Sequence, residues 1–187
     1  MIKLDPVSTA LVLIDLQVVI LSYPLIPVIG PLLLARGREL AGRFRDAGAT
    51  VALVDVAGAT DGADALYQTA DEPSHHPHGG CPSGWSALGN GLPAGGDILV
   101  TKRQWGVFHG TELDLQLRRR GIKTIVLGGV ATYMGVESTA RQAWELGYEL
   151  MIVSDATTSL VIEPHEMSMR HLFPRISRLV TSAGIGF

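Results

Sequence analysis

The sequence predicts a single α/β domain in which a mostly parallel sheet lies between two layers of helices. Its 187 residues suit one domain with a substantial core, and 47% of them are hydrophobic, which excludes a disordered chain. Short apolar runs alternate along the chain with segments of helical periodicity. Because these runs are continuous, they are typical of strands that carry helices on both faces. We therefore expect a three-layer αβα sandwich that spans residues 1–187.

Six apolar runs predict the strands of this sheet. Each is four to six residues long, and the runs are separated by turn residues or by helical patterns. The first five occupy residues 10–15, 51–56, 98–101, 124–127 and 150–153, and a run at 178–181 adds a final strand.

The first long helix is predicted to begin at Pro31, because proline is favoured in the first turn of a helix. Leu33, Leu40 and Phe44 then lie on one apolar stripe, as expected for a helix that packs on a sheet. Gly48 is expected to end this helix.

Three further helices are predicted later in the chain. Thr111 and Asp114 have the spacing of a capping box at the start of the second helix. The third follows a glycine-rich turn at 128–135, and the last extends from Pro164 to Pro174. The alternation of strands and helices is then complete.

Charge and cysteine content exclude several classes of protein. The formal net charge is −3 and the only basic cluster is 118–120, so we expect no nucleic-acid surface. A single cysteine excludes an internal disulfide, and the N-terminus lacks the pattern of a secretory signal. We therefore expect a cytoplasmic protein.

One uncharged stretch, 18–35, is long enough to suggest a membrane span. Pro24, Pro27 and Pro31 would interrupt a continuous helix there, so we expect no membrane segment. We interpret the stretch as a buried or interface-forming loop that leads into a helix. Its apolar character favours a homo-oligomer, a dimer or a tetramer.

Chemically useful residues follow the predicted strands. In parallel sheets, ligands bind beyond the carboxyl ends of the strands, so these residues should meet at one edge. They are Asp15, Asp55, Lys102, the turn 128–135 and Asp155.

Asp15 and Lys102 are the first pair to consider. A buried Asp15 could act as a general acid or base, and Lys102 is the natural cation to pair with it. The structural alternative is equally open: Asp15 could cap a neighbouring loop while Lys102 is solvated. In the same way, the turn 128–135 could bind an anion through free N–H groups, or could only allow tight backbone packing.

Four segments resemble the isochorismatase-like hydrolase superfamily and together span about four-fifths of the chain. They read "LVLIDLQ", "VTKRQWGVFHGTELDLQLRRRGI", "IVLGGVATYMGVESTARQAWELGYEL" and "VSDATTS". The resemblance implies a Rossmann-like, six-stranded sheet and a catalytic triad of Asp, Lys and Cys. Asp15 and Lys102 match the first two members. A non-proline cis peptide is implied at Val130–Ala131, with an oxyanion site at the N–H groups of Ala131 and Gly135.

The third member of the triad is missing. Amide-hydrolysing relatives read "GVATNVCVEST" where this chain reads "GVATYMGVEST", so Gly135 stands in place of the nucleophile. Isochorismatases also have glycine at this place and cleave a vinyl ether by protonation. A further branch of the superfamily shares "QWG", "GVESTAR" and the glycine, and the present sequence resembles it most.

Three hypotheses of function follow from this glycine. In the first, Asp15 is a general acid that cleaves a vinyl ether such as isochorismate, in a hydrolase for a small organic metabolite. In the second, Cys81 replaces the missing thiol, with His75, His76 or His78 lowering its pKa. In the third, the protein binds a small molecule or a partner without catalysis.

The surroundings of the site are predicted more coarsely. Nine glycines and four prolines within 57–97 indicate a loop or a lid over the site. No metal or other cofactor is expected, because Asp55 is followed by "VAG" and lacks the histidine of zinc-binding relatives. The pocket-lining candidates, each of which could instead belong to the core or an interface, are Gln17, Trp105, Phe108 and Tyr133.

Overall fold

A computed structural model describes residues 1–72 and 80–187. Its strands are β1 (Ile2–Lys3), β2 (Thr9–Ile14), β3 (Thr50–Val56), β4 (Ile98–Lys102), β5 (Thr124–Gly129), β6 (Glu149–Thr157), β7 (Arg178–Val180) and β8 (Ile185–Gly186). Its α-helices are α1 (Val18–Leu21), α2 (Gly30–Asp46), α3 (Leu113–Arg119), α4 (Glu137–Glu145), α5 (Ile162–Met167) and α6 (Phe173–Ile176). A π-helical turn, Thr132–Val136, precedes α4, and another, Ser168–Leu172, joins α5 to α6.

Six strands form the central sheet in the order β4-β3-β2-β5-β6-β7. Every pairing in this sheet is parallel. The short strands β1 and β8 form a separate parallel pair. After β2 the chain adds β3 and β4 on one side of this strand, and then β5, β6 and β7 on its other side. The carboxyl end of β2 is therefore a topological switch point, where ligands commonly bind in such sheets. The predicted six-stranded α/β fold is confirmed.

Each face of the sheet carries its own apolar core. On one face, Leu33 and Phe44 of α2 pack with Leu13 of β2. On the other face, Leu117 of α3 and Ala140 of α4 belong to the core that contains the opposite side of β2. Each fully buried leucine contributes about 1.5–3 kcal/mol to folding, so the two cores hold the sheet and its carboxyl edge rigid.

Two predicted helix boundaries differ from the structure. Asp114 does not complete a capping box, because its carboxylate instead accepts hydrogen bonds from Tyr148 and Arg118. The last helix begins at Ile162 and continues past Pro174 to Ile176. A π-helical turn lies directly before Pro174, where the missing proline N–H removes one helical hydrogen bond.

The uncharged stretch 18–35 is partly helical, since it contains α1 and the beginning of α2. Val18, Ile26, Ile29 and Leu32 are exposed along it. Among the helices of residues 1–72 and 80–187, none is both long enough and apolar enough to cross a membrane.

Candidate active site

Asp15 directly follows β2 and lies at the switch point of the sheet. Its φ of +54° is in the left-handed region, which non-glycine residues adopt rarely and which is common at functional sites. The backbone N–H of Asp15 donates to the Val54 carbonyl at 2.9 Å. This bond ties Asp15 to the neighbouring strand β3.

Lys102 ends β4 and forms a buried ion pair with Asp15. The Lys102 Nζ lies 2.7 Å from Asp15 Oδ2, and the two residues are 1% and 5% exposed. Asp15 Oδ1 is also buried, yet it has no hydrogen-bond partner in the described part of the chain. Burial raises the pKa of Asp15 to about 6, although the charge and the hydrogen bond of Lys102 lower it.

Gly135 faces this pair from the π-helical turn. A Cβ atom placed on Gly135 would lie 3.1 Å from Asp15 Oδ2 and 3.1 Å from Ile14 Cγ2. A side chain at this position would therefore begin against the Asp15 carboxylate. The fold brings Asp15, Lys102 and Gly135 together, as the sequence predicted for a triad site, with the third side chain absent.

The turn that carries Gly135 begins with a cis peptide bond between Val130 and Ala131. The Val130 N–H is already used, because it donates to the Ile14 carbonyl at 3.0 Å. The N–H of Ala131 donates to no acceptor within 1–72 and 80–187. Of the predicted backbone groups, Val130 therefore has no N–H left for a ligand, whereas Ala131 has one.

His165 anchors the same turn from α5, and the sequence analysis did not find it. The Thr132 backbone N–H and Oγ1 both donate to the Thr158 carbonyl at 2.9 Å. The single hydroxyl hydrogen is thereby used, so His165 Nδ1, at 2.7 Å, donates to Thr132 Oγ1. Burial lowers the pKa of His165. No motif marks this histidine, because its role depends on contact between distant elements.

Asp55 and Asp155 take different roles at the same edge. Thr101 Oγ1 donates to Asp55 Oδ2 at 3.1 Å, while Asp55 Oδ1 is buried and has no partner among the described residues. Burial raises the pKa of Asp55. Asp155 is fully occupied by the backbone N–H and the hydroxyl of Ser182, so it has a structural role.

The predicted pocket-lining residues are placed in four different settings. Gln17 is fully buried and its amide makes three hydrogen bonds to backbone groups of Val56 and Trp85. Phe108 is in the core and stacks on Tyr148. Trp105 is 52% exposed and Tyr133 is partly buried. Gln17 therefore joins the end of β3 to the segment around Trp85, and Tyr133 lies on the same turn as Gly135.

The predicted lid, 57–97, is described except for residues 73–79, and His75, His76 and His78 lie outside the described residues. Its base is well tied to the end of β3. Cys81 is buried, its Sγ accepts a hydrogen bond from the Gly58 N–H at 3.1 Å, and its own N–H donates to the Ala59 carbonyl. Within the described residues, no group of three or more potential metal ligands occurs.

Comparison with known proteins identifies the family. An isochorismatase domain model matches residues 9–184. The chain belongs to the isochorismatase family. Two uncharacterized isochorismatase family proteins are similar over nearly their whole length. YecD of Escherichia coli O157:H7 is 47% identical over 96% of this chain and 95% of that protein, and YwoC of Bacillus subtilis (strain 168) is 44% identical over 97% and 94%.

A solved structure of this isochorismatase family agrees closely with the fold. An isochorismatase family protein from Burkholderia thailandensis superimposes with a TM-score of 0.91 at 41% identity, covering 98% of this chain and 95% of that one. A cysteine hydrolase from Pseudomonas syringae pv. phaseolicola 1448A has a TM-score of 0.78 at 21% identity, over 96% and 91% of the two chains, and supports the fold alone.

Proposed function

We propose that this isochorismatase-family protein is a hydrolase for a small organic metabolite and that it works without a cysteine nucleophile. Asp15 is the general acid in this proposal, and the substrate is a vinyl ether, of which isochorismate is the candidate to test first. The observation that carries the proposal is Asp15 Oδ1, which is buried and has no partner among the described residues, on a carboxyl group whose other oxygen faces Gly135. Asp15 Oδ1 is the natural place for a proton, because Oδ2 is held by Lys102.

The reaction needs one proton and one water molecule. Asp15 protonates the methylene carbon of the vinyl ether, and the electron pair of the double bond forms the new C–H bond. Water adds to the resulting oxocarbenium ion and returns a proton to the Asp15 carboxylate. The hemiketal then breaks its C–O bond to give pyruvate and an alcohol. No step requires a thiol, which is consistent with glycine at position 135.

The raised pKa of Asp15 supports this role. A general acid works best when its pKa is near the working pH, and burial brings the pKa of Asp15 to about 6. At pH 7 about one molecule in ten would then hold the proton. Lys102 opposes protonation in the free protein, and in our proposal a substrate carboxylate draws its charge away from Asp15.

Pyruvate release from isochorismate tests the proposal. Wild-type protein should release pyruvate, and Asp15→Asn should reduce the rate about a hundredfold or more, since it removes the acid. Asp114→Asn, on α3, is the matched control and should leave the rate unchanged. Equal rates in wild type and Asp15→Asn would contradict acid catalysis by Asp15. Absence of pyruvate from wild type would exclude isochorismate as the substrate.

The second candidate function is binding of a small molecule without catalysis. It is favoured by one observation, the closed ion pair between Lys102 and Asp15, which leaves neither residue more than 5% exposed. In this case Asp15→Asn would change ligand affinity and no turnover would be found.

We also propose that the exposed apolar side chains of 18–35 support a homo-oligomer. Light scattering would measure its mass.

A further inference from the structure

Buried polar atoms without partners are concentrated at the carboxyl edge of the sheet. Within residues 1–72 and 80–187, the buried side-chain atoms that lack a partner are Asp15 Oδ1, Asp55 Oδ1, Trp85 Nε1 and Ser159 Oγ. Asp15 and Asp55 lie at the ends of β2 and β3, and Ser159 follows β6 by two residues. Buried polar groups in proteins are nearly always paired, so a ligand or water is expected to complete this set.

Trp85 belongs to the lid but is fixed next to the end of β3. The Gln17 side-chain Nε2 donates to the Trp85 carbonyl at 2.7 Å and to the Val56 carbonyl at 3.2 Å. The Val18 N–H donates to the Ala87 carbonyl at 2.8 Å, so the lid runs along the segment that follows Asp15. One amide group thus joins Trp85 to the residue that follows Asp55. The two unpaired atoms therefore belong to neighbouring backbone segments.

The chemistry of these two atoms is complementary. An indole N–H can only donate a hydrogen bond, and an ionised carboxylate oxygen can only accept one. A hydroxyl group accepts through its oxygen and donates its hydrogen at the same time, so a single hydroxyl can satisfy both. A carboxylate would satisfy the indole alone and would be repelled by Asp55.

The charges at this edge point in the same direction. The cations nearest to the acidic residues are already paired, Lys102 with Asp15 and Arg103 with Asp64, each at 2.7 Å. Asp55 lacks such an ion pair among the described residues. An additional negative group beside Asp55 would therefore meet an acidic neighbour, and the two cations that act on Asp55, Lys102 and Arg103, already have carboxylate partners.

We propose that Trp85 and Asp55 form a subsite that binds a hydroxyl group of the substrate. The hydroxyl oxygen accepts from Trp85 Nε1–H, and the hydroxyl hydrogen is donated to Asp55 Oδ1. The substrate is thus a hydroxylated small molecule, and Trp85 and Asp55 determine this specificity. The inference rests on the proposed function only in assuming that the substrate binds at this edge of the sheet.

Indole NMR with two matched probes tests the subsite. The protein has three tryptophans, so ¹⁵N-indole labelling gives three N–H signals, and the one missing in Trp85→Phe is assigned to Trp85. Titration with trans-1,2-cyclohexanediol should move the Trp85 signal downfield in a saturable manner. Cyclohexanecarboxylate at the same concentration should leave it in place. The Trp144 signal is the internal control, because Trp144 is in the last turn of α4 at the opposite edge.

A variant at Asp55 completes the experiment. Asp55→Ala removes the acceptor and should weaken diol binding about tenfold, the effect of losing one hydrogen bond to a charged group. A Trp85 signal that does not respond to the diol would overturn the proposal and assign the space to water. A response of equal size to the carboxylate, or one unaffected by Asp55→Ala, would also overturn it. Because the signal reports binding and not turnover, failure of acid catalysis by Asp15 would not change this result.

Discussion

The two edges of the sheet treat their polar residues in opposite ways. At the amino edge, the Tyr148 hydroxyl donates to Asp114 Oδ1 at 2.7 Å, and Arg118 pairs with the same carboxylate while its guanidinium lies 4.1 Å from the Tyr148 ring centre. At the carboxyl edge, Asp15 and Asp55 each keep one buried oxygen that has no partner in residues 1–72 and 80–187. The amino-edge cluster is satisfied within the protein, whereas the carboxyl-edge carboxylates each keep an oxygen that no described residue fills.

Backbone geometry differs between the edges as well. The carboxyl edge contains the left-handed Asp15, the cis peptide at Val130–Ala131 and the π-helical turn. At the amino edge, the positive φ angles of Gly48, Gly121 and Gly147 belong to glycines, which adopt them freely. Two shallow surface depressions of about 310 Å³ lie at the amino edge and are lined in part by Trp144 and by Arg45. These two depressions and the unpaired polar atoms therefore lie at opposite edges, and our proposal follows the unpaired atoms.

The largest difference in stability between the edges is expected from their ion pairs. Lys102→Met leaves the buried Asp15 without its cation and should lower the free energy of unfolding by about 3–5 kcal/mol at neutral pH. Arg118→Met, at a pair that is half-exposed, should lower it by less than about 1 kcal/mol. Urea unfolding measures both. Equal losses of unfolding free energy in the two variants would mean that the Lys102–Asp15 pair behaves like an ordinary surface ion pair.

The pH dependence of the Lys102→Met loss has a definite sign. Without the lysine charge, the pKa of Asp15 rises further above its ordinary value of 3.8, so the folded state binds the proton more tightly than the unfolded state. The contribution of protonated Asp15 to stability is complete below about pH 4 and is lost as the pH rises through the folded pKa. The variant should therefore recover stability on acidification from pH 7 to pH 5.

Much of the fold was predictable because it depends on local patterns. The six strands of the central sheet and α2 are continuous or periodic in the sequence, and the structure has them within four residues of the predicted bounds, whereas β1 and β8 were not predicted. The predicted end of the last helix was wrong, since a π-helical turn precedes Pro174 and the helix continues to Ile176. The capping box was wrong, because Tyr148, distant in sequence, takes up Asp114.

The site was predictable only where position in the sheet determines it. Asp15 follows β2, and Asp55 and Lys102 lie within the last two residues of β3 and β4, so the topology alone brings them to one edge. The contacts of His165 with Thr132 and of Trp85 with Gln17 could not be found in this way, because they join segments that are distant in sequence. Gln17 was predicted to line the pocket, but its side-chain amide forms hydrogen bonds with backbone groups instead.

The smallest expected effect on the free energy of unfolding comes from removing one hydroxyl group at each edge. Tyr148→Phe removes a hydroxyl that donates to Asp114 and should cost about 0.5–1.5 kcal/mol. Ser159→Ala removes a buried hydroxyl that has no described partner, so it should be neutral or slightly stabilising. Urea unfolding of both variants under one condition measures the difference. Equal costs would contradict the distinction between satisfied and incomplete edges.

The protonation of Asp15 is the most direct measurement of all. A ¹³C NMR titration of the side-chain carboxyl carbons, with the Asp15 signal assigned by its loss in Asp15→Asn, follows this one group without any substrate. Acid catalysis by Asp15 predicts a titration midpoint near pH 6, because burial outweighs the Lys102 charge. An Asp15 carboxyl that stays ionised down to about pH 4, as an unperturbed aspartate does, would contradict it and leave the buried pair with a structural role.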